Sequence, residues 1–304
     1  MKRVLTVVVL APLVLLAVFR APLWLFALLV AAVIVLALRE YLGIAEAAGL
    51  KPFKWLTYAL SLLPIIAWLG IEIRKFYVFV DIFGPQGPSL RVWRILAILA
   101  PVLFGALLVF RKDLRMGLAS ASASAFGIFY IGSSLTLLVN LRAEPTQCIL
   151  VILILFSVWA GDIAAYYVGR SFGRHKLAPI VSPNKSWEGA IASIVASVAM
   201  AALVFQFQPQ IIKLFGQGYW LFPNPSWGRQ PSWMHIILLG ILTNIAAQFG
   251  DLFESALKRG ANVKDSGALL PGHGGVLDRI DALLFAIPVV WYYATLTRFL
   301  EPKF

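Results

Sequence analysis

Charge and cysteine are both scarce in this chain of 304 residues. Only 13% of the residues are charged, and the single cysteine, Cys148, excludes an intrachain disulfide. Acidic residues are the scarcer charged class, with 14 Asp and Glu against 26 Lys and Arg and a formal net charge of +12. No basic soluble domain or arm accompanies this excess, so nucleic-acid binding is not expected. Basic loops between apolar segments are instead typical of membrane proteins.

Apolar sequence is abundant, with 61% hydrophobic residues and a mean hydropathy of +0.85. Because about 20 apolar residues cross a bilayer core as a helix, the pattern predicts an all-α integral membrane protein, a polytopic bundle of about nine transmembrane helices. The predicted spans are Leu5–Phe19, Leu23–Leu38, Trp55–Ile71, Val92–Phe110, Gly117–Leu141, Gln147–Gly169, Trp187–Phe207, Met234–Leu257 and Ala282–Leu300.

The distribution of Lys and Arg between the short loops favours a cytoplasmic N-terminus, since these residues are retained on the cytoplasmic side during insertion. This orientation places two polar loops, 170–186 and 258–280, in the cytoplasm. The apolar run after Lys2 and Arg3 is similar to a signal peptide, but no small-x-small cleavage site follows it. We therefore expect this run to remain in the protein.

Half of the 14 acidic residues lie near the ends of apolar segments in the second half of the chain. Ionisable groups at membrane depth are energetically costly and usually face a polar cavity. This placement indicates a polar site there. The residues are Asp162, Glu188, Asp251, Glu254, Asp265, Asp278 and Asp281.

Residues 244–258 form one polar stripe if they are helical, because their polar positions recur at spacings of three and four. Polar contacts between helices are the alternative explanation of such a stripe. A carboxylate is a costlier choice than an amide for packing alone, which favours a functional role for Asp251. The stripe consists of Asn244, Gln248, Asp251, Ser255 and Lys258, with Glu254 beside it.

Asp278 and Asp281 are three residues apart, so a helix beginning at Leu277 projects both carboxylates from one face of its first turn. Like charges this close repel unless a cation lies between them. Mg²⁺ commonly bridges one or two carboxylates to substrate phosphates, so the pair suggests a magnesium site. The alternative is that these acids stabilise the positive end of the helix, with Arg279 as a local partner.

The segment Pro271-Gly-His-Gly-Gly275 comes just before that helix. Successive glycines let backbone N–H groups approach a bound anion, and helix N-termini attract phosphate. His273 would contact a phosphate or move a proton, or it would fix the loop by a hydrogen bond.

Lys185 and Ser186 precede an apolar helix in the other polar loop. In the functional interpretation Lys185 holds a phosphate and Asp162 faces the same cavity. In the structural interpretation Ser186 caps the helix and Glu188 favours its positive end. Sequence alone leaves both open.

The stretch from Ser255 to Asp281 resembles the signature of phosphatidate cytidylyltransferases, also called CDP-diacylglycerol synthases. Residues 182–189 and 248–255 are similar to two further blocks of that family. Ser186 stands where threonine is usual, and Gly161 stands where asparagine is expected before Asp162. The first 140 residues match only in being apolar. The matching signature positions are Ser255, Lys258, Arg259, Lys264, Asp265, Gly267, Pro271, His273, Gly274, Gly275, Asp278, Arg279 and Asp281.

The resemblance implies transfer of a cytidylyl group from CTP to phosphatidic acid, giving CDP-diacylglycerol and pyrophosphate, with Mg²⁺ required and a second metal ion as an option. It also implies a homodimer in the cell inner (plasma) membrane, surrounded by membrane lipids, with the active site facing the cytoplasm. Residues 1–146 would form a scaffold or dimer surface of transmembrane helices. Residues 147–304 would form the catalytic transmembrane region.

The resemblance and the residue patterns together define the expected site. The expected catalytic residues are Asp251, Asp278, Asp281, Lys258 and Arg259, and the three aspartates are also the expected metal ligands. The expected substrate-binding residues are Lys185, Ser186, Lys264, Asp265, Gly272, His273, Gly274, Gly275, Arg279, Asp162 and Glu254.

Two other functions share parts of this pattern. A lipid or polyprenol kinase would need a nucleotide, Mg²⁺ and a membrane acceptor, but it would release a nucleoside diphosphate and not pyrophosphate. A secondary transporter would use its intramembrane acids to bind coupling ions. Transporters tend to show two repeated halves, whereas the polar residues here crowd into the second half.

Overall fold

The computed structural model describes residues 12–74, 88–110, 114–143, 148–215, 231–269 and 274–300. Helices dominate this part of the chain. They are α1 (residues 12–20), α2 (Leu23–Ala47), α3 (Lys54–Arg74), α4 (Pro88–Val109), α5 (Gly117–Gly127), α6 (Ser134–Ala143), α7 (Cys148–Phe172), α8 (Trp187–Gln206), α9 (Gln208–Phe215), α10 (Trp233–Gly260) and α11 (Leu277–Leu300). A π-helical segment, Ile128–Ser133, joins α5 to α6.

Six helical stretches of the described chain are long and apolar enough to cross a bilayer. They confirm a multi-pass α-helical membrane protein, while the count of nine spans and the orientation stay predictions. Two shorter apolar stretches, Lys54–Leu69 and Ile95–Val109, coincide with two further predicted spans, and the predicted span Leu5–Phe19 lies partly outside the described residues. The six stretches are Leu23–Ala47, Gly117–Ala143, Ile149–Phe172, Trp187–Gln206, Trp233–Gly260 and Leu277–Thr297.

The two polar loops are shorter than predicted. The loop 170–186 contains a small antiparallel hairpin of β1 (Lys176–Ala178) and β2 (Ser182–Ser186), the one sheet in the described residues. In the loop 258–280, α10 continues to Gly260 and α11 already begins at Leu277. Basic residues are favourable in a last helical turn and acidic residues in a first turn, which explains why the polar ends are helical. The helix start at Leu277, on which the Asp278 and Asp281 pairing depended, is confirmed.

The chain divides into two compact units. The described residues of the first unit lie within Pro22–Asn140 and Gly260–Asp278. Those of the second unit lie within residues 12–21, Leu141–Arg259 and Arg279–Phe304. The last signature residues are therefore divided, with Asp278 in the first unit and Asp281 in the second.

The first unit has an apolar core between α3, α4, α5 and the π-helical segment. Gly132 of that segment lies against α3, where a Cβ atom at position 132 would come within 2.9 Å of the Ser61 Cβ. Tyr41 on α2 reaches the same region and donates a hydrogen bond to the Ala123 carbonyl at 2.9 Å. The core residues are Leu60, Trp93, Leu96, Ala100, Phe104, Ala121 and Ile128.

A buried hydrogen-bond network connects α7, α8 and α10 in the second unit. The Asn244 amide donates to the hydroxyls of Ser193 and Ser197, both at 2.7 Å, and Ser197 donates to the Ser157 carbonyl at 2.7 Å. A Cβ atom at Gly161 would lie 2.5 Å from the Asn244 amide nitrogen, so this space is already filled. At Asn244 the predicted polar stripe therefore serves helix packing. The bulk of the Asn244 side chain explains why residue 161 is glycine.

Asn244→Ala is expected to lower the free energy of unfolding by about 1 to 2 kcal/mol, because two serine hydroxyls lose a buried donor. The measurement is unfolding of the purified protein in mixed detergent micelles under increasing sodium dodecyl sulfate. Ile245→Ala is the control, since Ile245 is the next residue and is exposed on the surface of the helix. Equal stabilities of the two variants would show that this hydrogen-bond network contributes nothing to the free energy of unfolding.

Candidate active site

Four carboxylates from three helices face one another in the second unit. We call them the acidic cluster: Asp162 on α7, Asp251 and Glu254 on α10, and Asp281 on α11. Asp251 interacts electrostatically with both Asp162 and Asp281, and Asp281 also interacts with Glu254. The structure thus brings together four of the acids that the sequence singled out.

Gly250 allows α10 and α11 to approach closely enough for this cluster to form. A Cβ atom at position 250 would overlap the backbone carbonyl of Asp281 and would come within 3.1 Å of the Ala282 Cα. Any side chain there would therefore push the two helices apart. The glycine places Asp251, the next residue along α10, beside the first turn of α11.

Two lysines partly balance the acidic cluster. The Lys185 ammonium lies 2.6 Å from Asp251 Oδ2, with 26% and 40% of the two side chains exposed. The Lys258 ammonium lies 2.6 Å from Glu254 Oε2 within the last turns of α10, with only 13% and 1% exposed. The first pair is open to solvent, whereas the second is buried. Lys185 is consequently the more accessible cation for a bound phosphate.

Lys185 is held in place by the hairpin and by the start of α8. Ser186 caps α8, because its hydroxyl accepts a hydrogen bond from the Gly189 N–H at 3.2 Å. Glu188 bends back to the hairpin, where it lies 2.7 Å from His175 Nδ1 and accepts from the His175 N–H at 3.2 Å. The capping interpretation of Ser186 is therefore confirmed. The same geometry leaves Lys185 beside the acidic cluster.

The glycine-rich loop, residues 264–276 as far as they are described, belongs to the first unit and is built around Asp278. Asp278 Oδ2 accepts hydrogen bonds from the Ser266 N–H at 3.0 Å, the Ser266 hydroxyl at 2.9 Å and the Gly275 N–H at 2.7 Å. Gly274 adopts a φ of 76°, which only glycine accepts readily. One Asp278 oxygen is thus engaged in shaping the loop that precedes it.

Glu40 on α2 is the site residue that sequence reasoning missed. Its carboxylate accepts from the N–H groups of Val276 at 3.0 Å and Leu277 at 2.7 Å, and it lies 3.0 Å from the Ser266 hydroxyl, whose single hydrogen it shares with Asp278. Only 9% of Glu40 is exposed. The available signal was an acidic residue inside a long and mostly apolar helix, which is costly without partners. The Val276 and Leu277 amides expected near a bound anion thus face a carboxylate of the protein itself.

The other predicted residues are more dispersed. Arg259 is exposed in the last turn of α10, Lys264 and Asp265 are exposed in the glycine-rich loop, and Arg279 is exposed in the first turn of α11. Gly275 is buried. Gly272 and His273 lie outside the described residues.

The described residues contain no group of three or more His, Cys, Asp or Glu arranged to hold a metal ion. The chemistry of the acidic cluster is nevertheless compatible with Mg²⁺, which needs only one or two protein carboxylates when water and substrate phosphates complete its shell. Asp251 and Asp281 offer hard oxygen ligands on adjacent helices. Their mutual repulsion would be relieved by a cation.

Comparisons with known proteins agree on one family. Residues 1–297 match the model of the cytidylyltransferase family. A phosphatidate cytidylyltransferase of Synechocystis is 31% identical over 300 residues, which cover 90% of this chain and 89% of that protein. Proteins of the same name from Brucella suis and Bacillus subtilis are 41% identical over 179 residues and 40% identical over 139 residues. Those two matches span 58% and 45% of the relatives' own lengths, and 59% and 46% of this chain.

Lys258→Met is expected to lower the free energy of unfolding by about 3 to 5 kcal/mol, because it leaves the Glu254 carboxylate buried without its lysine. Adding Glu254→Gln should recover much of this loss, since the variant then carries no buried charge at the pair. The measurement is unfolding in mixed detergent micelles under increasing sodium dodecyl sulfate, as for Asn244→Ala.

Lys54→Met is the matched control, because the Lys54 ammonium lies 2.7 Å from Glu46 with 46% and 44% of the side chains exposed. An exposed pair of this kind contributes about 0 to 1 kcal/mol. A Lys258→Met protein as stable as Lys54→Met would contradict a structural role for the buried pair.

Proposed function

This chain belongs to the cytidylyltransferase family, and on that premise we propose that it transfers the cytidylyl group of CTP to phosphatidic acid. The products are CDP-diacylglycerol, which stays in the membrane for phospholipid synthesis, and pyrophosphate. The observation that carries the proposal is Asp251, which contacts Lys185 and interacts with Asp162 and Asp281 in a membrane-spanning unit. This grouping of acids and cations suits a reaction between two phosphate compounds.

The reaction forms one phosphorus–oxygen bond and breaks another. A phosphate oxygen of phosphatidic acid attacks the α-phosphorus of CTP, and the bond from that phosphorus to the oxygen bridging to the β-phosphate breaks. The electron pair leaves with pyrophosphate. Because the attacking oxygen is already anionic, little general-base assistance is needed. Positioning and neutralisation of charge should supply most of the catalysis.

The cations have different roles in this mechanism. Lys185 is partly exposed and held by the hairpin, so we assign it to a substrate phosphate that competes for its contact with Asp251. Lys258 is buried against Glu254, so we assign it first to holding the acidic cluster together. The exposed cations Arg259, Lys264 and Arg279 are further candidates for neutralising phosphates.

We expect Mg²⁺ as the cofactor, with Asp251 and Asp281 as ligands and Asp278 as a third candidate. When bound, the ion would neutralise developing charge on the phosphates. Asp278 also shapes the glycine-rich loop through Oδ2, so its substitution would disturb two functions at once. The proposal also allows for a second metal ion.

The proposed reaction takes place at the cytoplasmic face of the inner membrane, where CTP is present and phosphatidic acid enters laterally from the bilayer. This side follows from the excess of Lys and Arg in the inner loops. We also expect a homodimer, as the family resemblance suggests, with the N-terminal helices as its candidate surface.

Purified protein in detergent is expected to move label from α-³²P-labelled CTP into phosphatidic acid in the presence of Mg²⁺, and to leave label from γ-³²P-labelled CTP in the aqueous phase. Asp251→Asn should lower this transfer by about 100-fold or more, because a group that binds transition-state charge is lost. Glu46→Gln, which alters a surface pair between α2 and α3, should retain normal transfer.

Transfer of the γ-phosphate to lipid would identify a kinase and would overturn the proposal. Near-normal transfer by Asp251→Asn would show that the reaction does not depend on the acidic cluster. Removal of Mg²⁺ by chelation should abolish transfer, and full activity without divalent ions would contradict the metal assignment.

A further inference from the structure

We propose that Glu40, in the N-terminal half of the chain, is a positioning residue for the active site. Its carboxylate holds the glycine-rich loop in the conformation that presents Asp278 at the start of α11. The inference rests on the proposed function for its catalytic consequence, but its structural content stands on contacts within the first unit.

The buried Glu40 carboxylate depends on hydrogen bonds from the glycine-rich loop. A carboxylate inside an apolar helix is strongly unfavourable unless donors replace its water. Glu40 receives two such donors of its own, the N–H groups of Val276 and Leu277, and shares a third, the hydroxyl of Ser266, with Asp278. All three belong to the loop or to the first residue of α11. Burial of the Glu40 carboxylate with its hydrogen bonds satisfied therefore depends on this loop conformation.

Two glycines of the loop leave space for the Glu40 carboxylate. A Cβ atom at Gly267 would lie 2.7 Å from Glu40 Oε1 and 2.9 Å from its Cδ, and one at Gly275 would overlap Oε2. Neither glycine has a positive φ, in contrast to Gly274. Backbone conformation therefore does not explain glycine at 267 and 275. Room for the Glu40 side chain explains it at 267, and room for both Glu40 and the Ser266 hydroxyl explains it at 275.

Ser266 connects Glu40 to Asp278. The Ser266 hydroxyl oxygen lies 3.0 Å from Glu40 Oε2 and 2.9 Å from Asp278 Oδ2, and the Asp278 N–H donates to it at 3.3 Å. A hydroxyl has one hydrogen, so it donates to one carboxylate at a time. The two carboxylates thus share a single serine, and movement of Glu40 would be transmitted to Asp278.

Glu40 has a positioning role and not a direct catalytic one, because its carboxylate is bound by the loop and by the first turn of α11. Loss of the carboxylate should leave CTP able to bind but should misplace Asp278. The turnover number should therefore fall more than the Michaelis constant rises.

Glu40→Gln tests the proposal, because an amide keeps the size of the side chain but places an NH₂ group among donors. Hydrogen–deuterium exchange of the intact protein in detergent should show amide exchange of residues 274–278 that is faster by about tenfold or more. Turnover should fall by about 10- to 100-fold, with the Michaelis constant for CTP changed by less than about threefold. Glu46→Gln on the same helix should match wild type in both measurements.

A second pair of variants keeps the test decisive if Glu40→Gln folds poorly. Gly267→Ala should reduce turnover in the wild-type background, because its methyl group overlaps the Glu40 carboxylate. The same change should have a much smaller further effect in a Glu40→Ala protein, where that carboxylate is absent. Such non-additivity reports a direct contact between the two positions.

Unchanged exchange in residues 274–278 of Glu40→Gln, or independent effects of the Glu40 and Gly267 substitutions, would overturn the positioning role. Faster exchange with normal turnover would confine Glu40 to loop stability and would also overturn it. A wild-type protein without cytidylyl transfer would refute the proposed function, and the exchange measurement would still decide whether Glu40 holds the loop.

Discussion

The energetic cost of carboxylates inside apolar helices organises both units of this protein. Glu40 and Glu254 each lie within a helix that is long and apolar enough to cross a bilayer, and each is almost fully buried. Water cannot solvate them there, so the fold must supply donors or a cation. The first unit supplies backbone N–H groups and a serine to Glu40, whereas the second supplies Lys258 to Glu254. Each solution determines the geometry of the segment beside it.

These two arrangements differ in how readily the carboxylate and its partner can separate. Backbone N–H groups are fixed to the loop, so a carboxylate bound to them restrains the loop as a whole. A lysine on a flexible stem can move to another anion when its partner is accessible, as in the Lys185 pair with Asp251. The rigid arrangement suits the positioning of a ligand such as Asp278. The exchangeable arrangement suits binding and release of a charged substrate.

Features that depend on local sequence were predictable. A helix beginning at Leu277 and a Ser186 cap were both suggested by residue types within a few positions, the cap as one of two open interpretations, and the structure contains both. The role of Glu40 was not predictable in this way, because its partners lie more than 200 residues away along the chain, as with Leu277 at a separation of 237. The hairpin was also missed, since the β2 sequence Ser182–Ser186 shows no alternation of apolar and polar residues. Only tertiary contacts distinguish such cases.

The glycines of the loop illustrate how one pattern admits different physical causes. Sequence reasoning attributed them to N–H groups that approach a phosphate, but the Gly275, Val276 and Leu277 amides donate to Asp278 and Glu40. An amide that already donates to a carboxylate is a poor additional donor to another anion, because it carries one hydrogen and the two negative charges repel. A substrate phosphate is therefore better matched by lysine and arginine side chains than by these three amides. On this view glycine is needed at 267 and 275 to admit the carboxylate that orders the loop, and the charge of the substrate is met elsewhere.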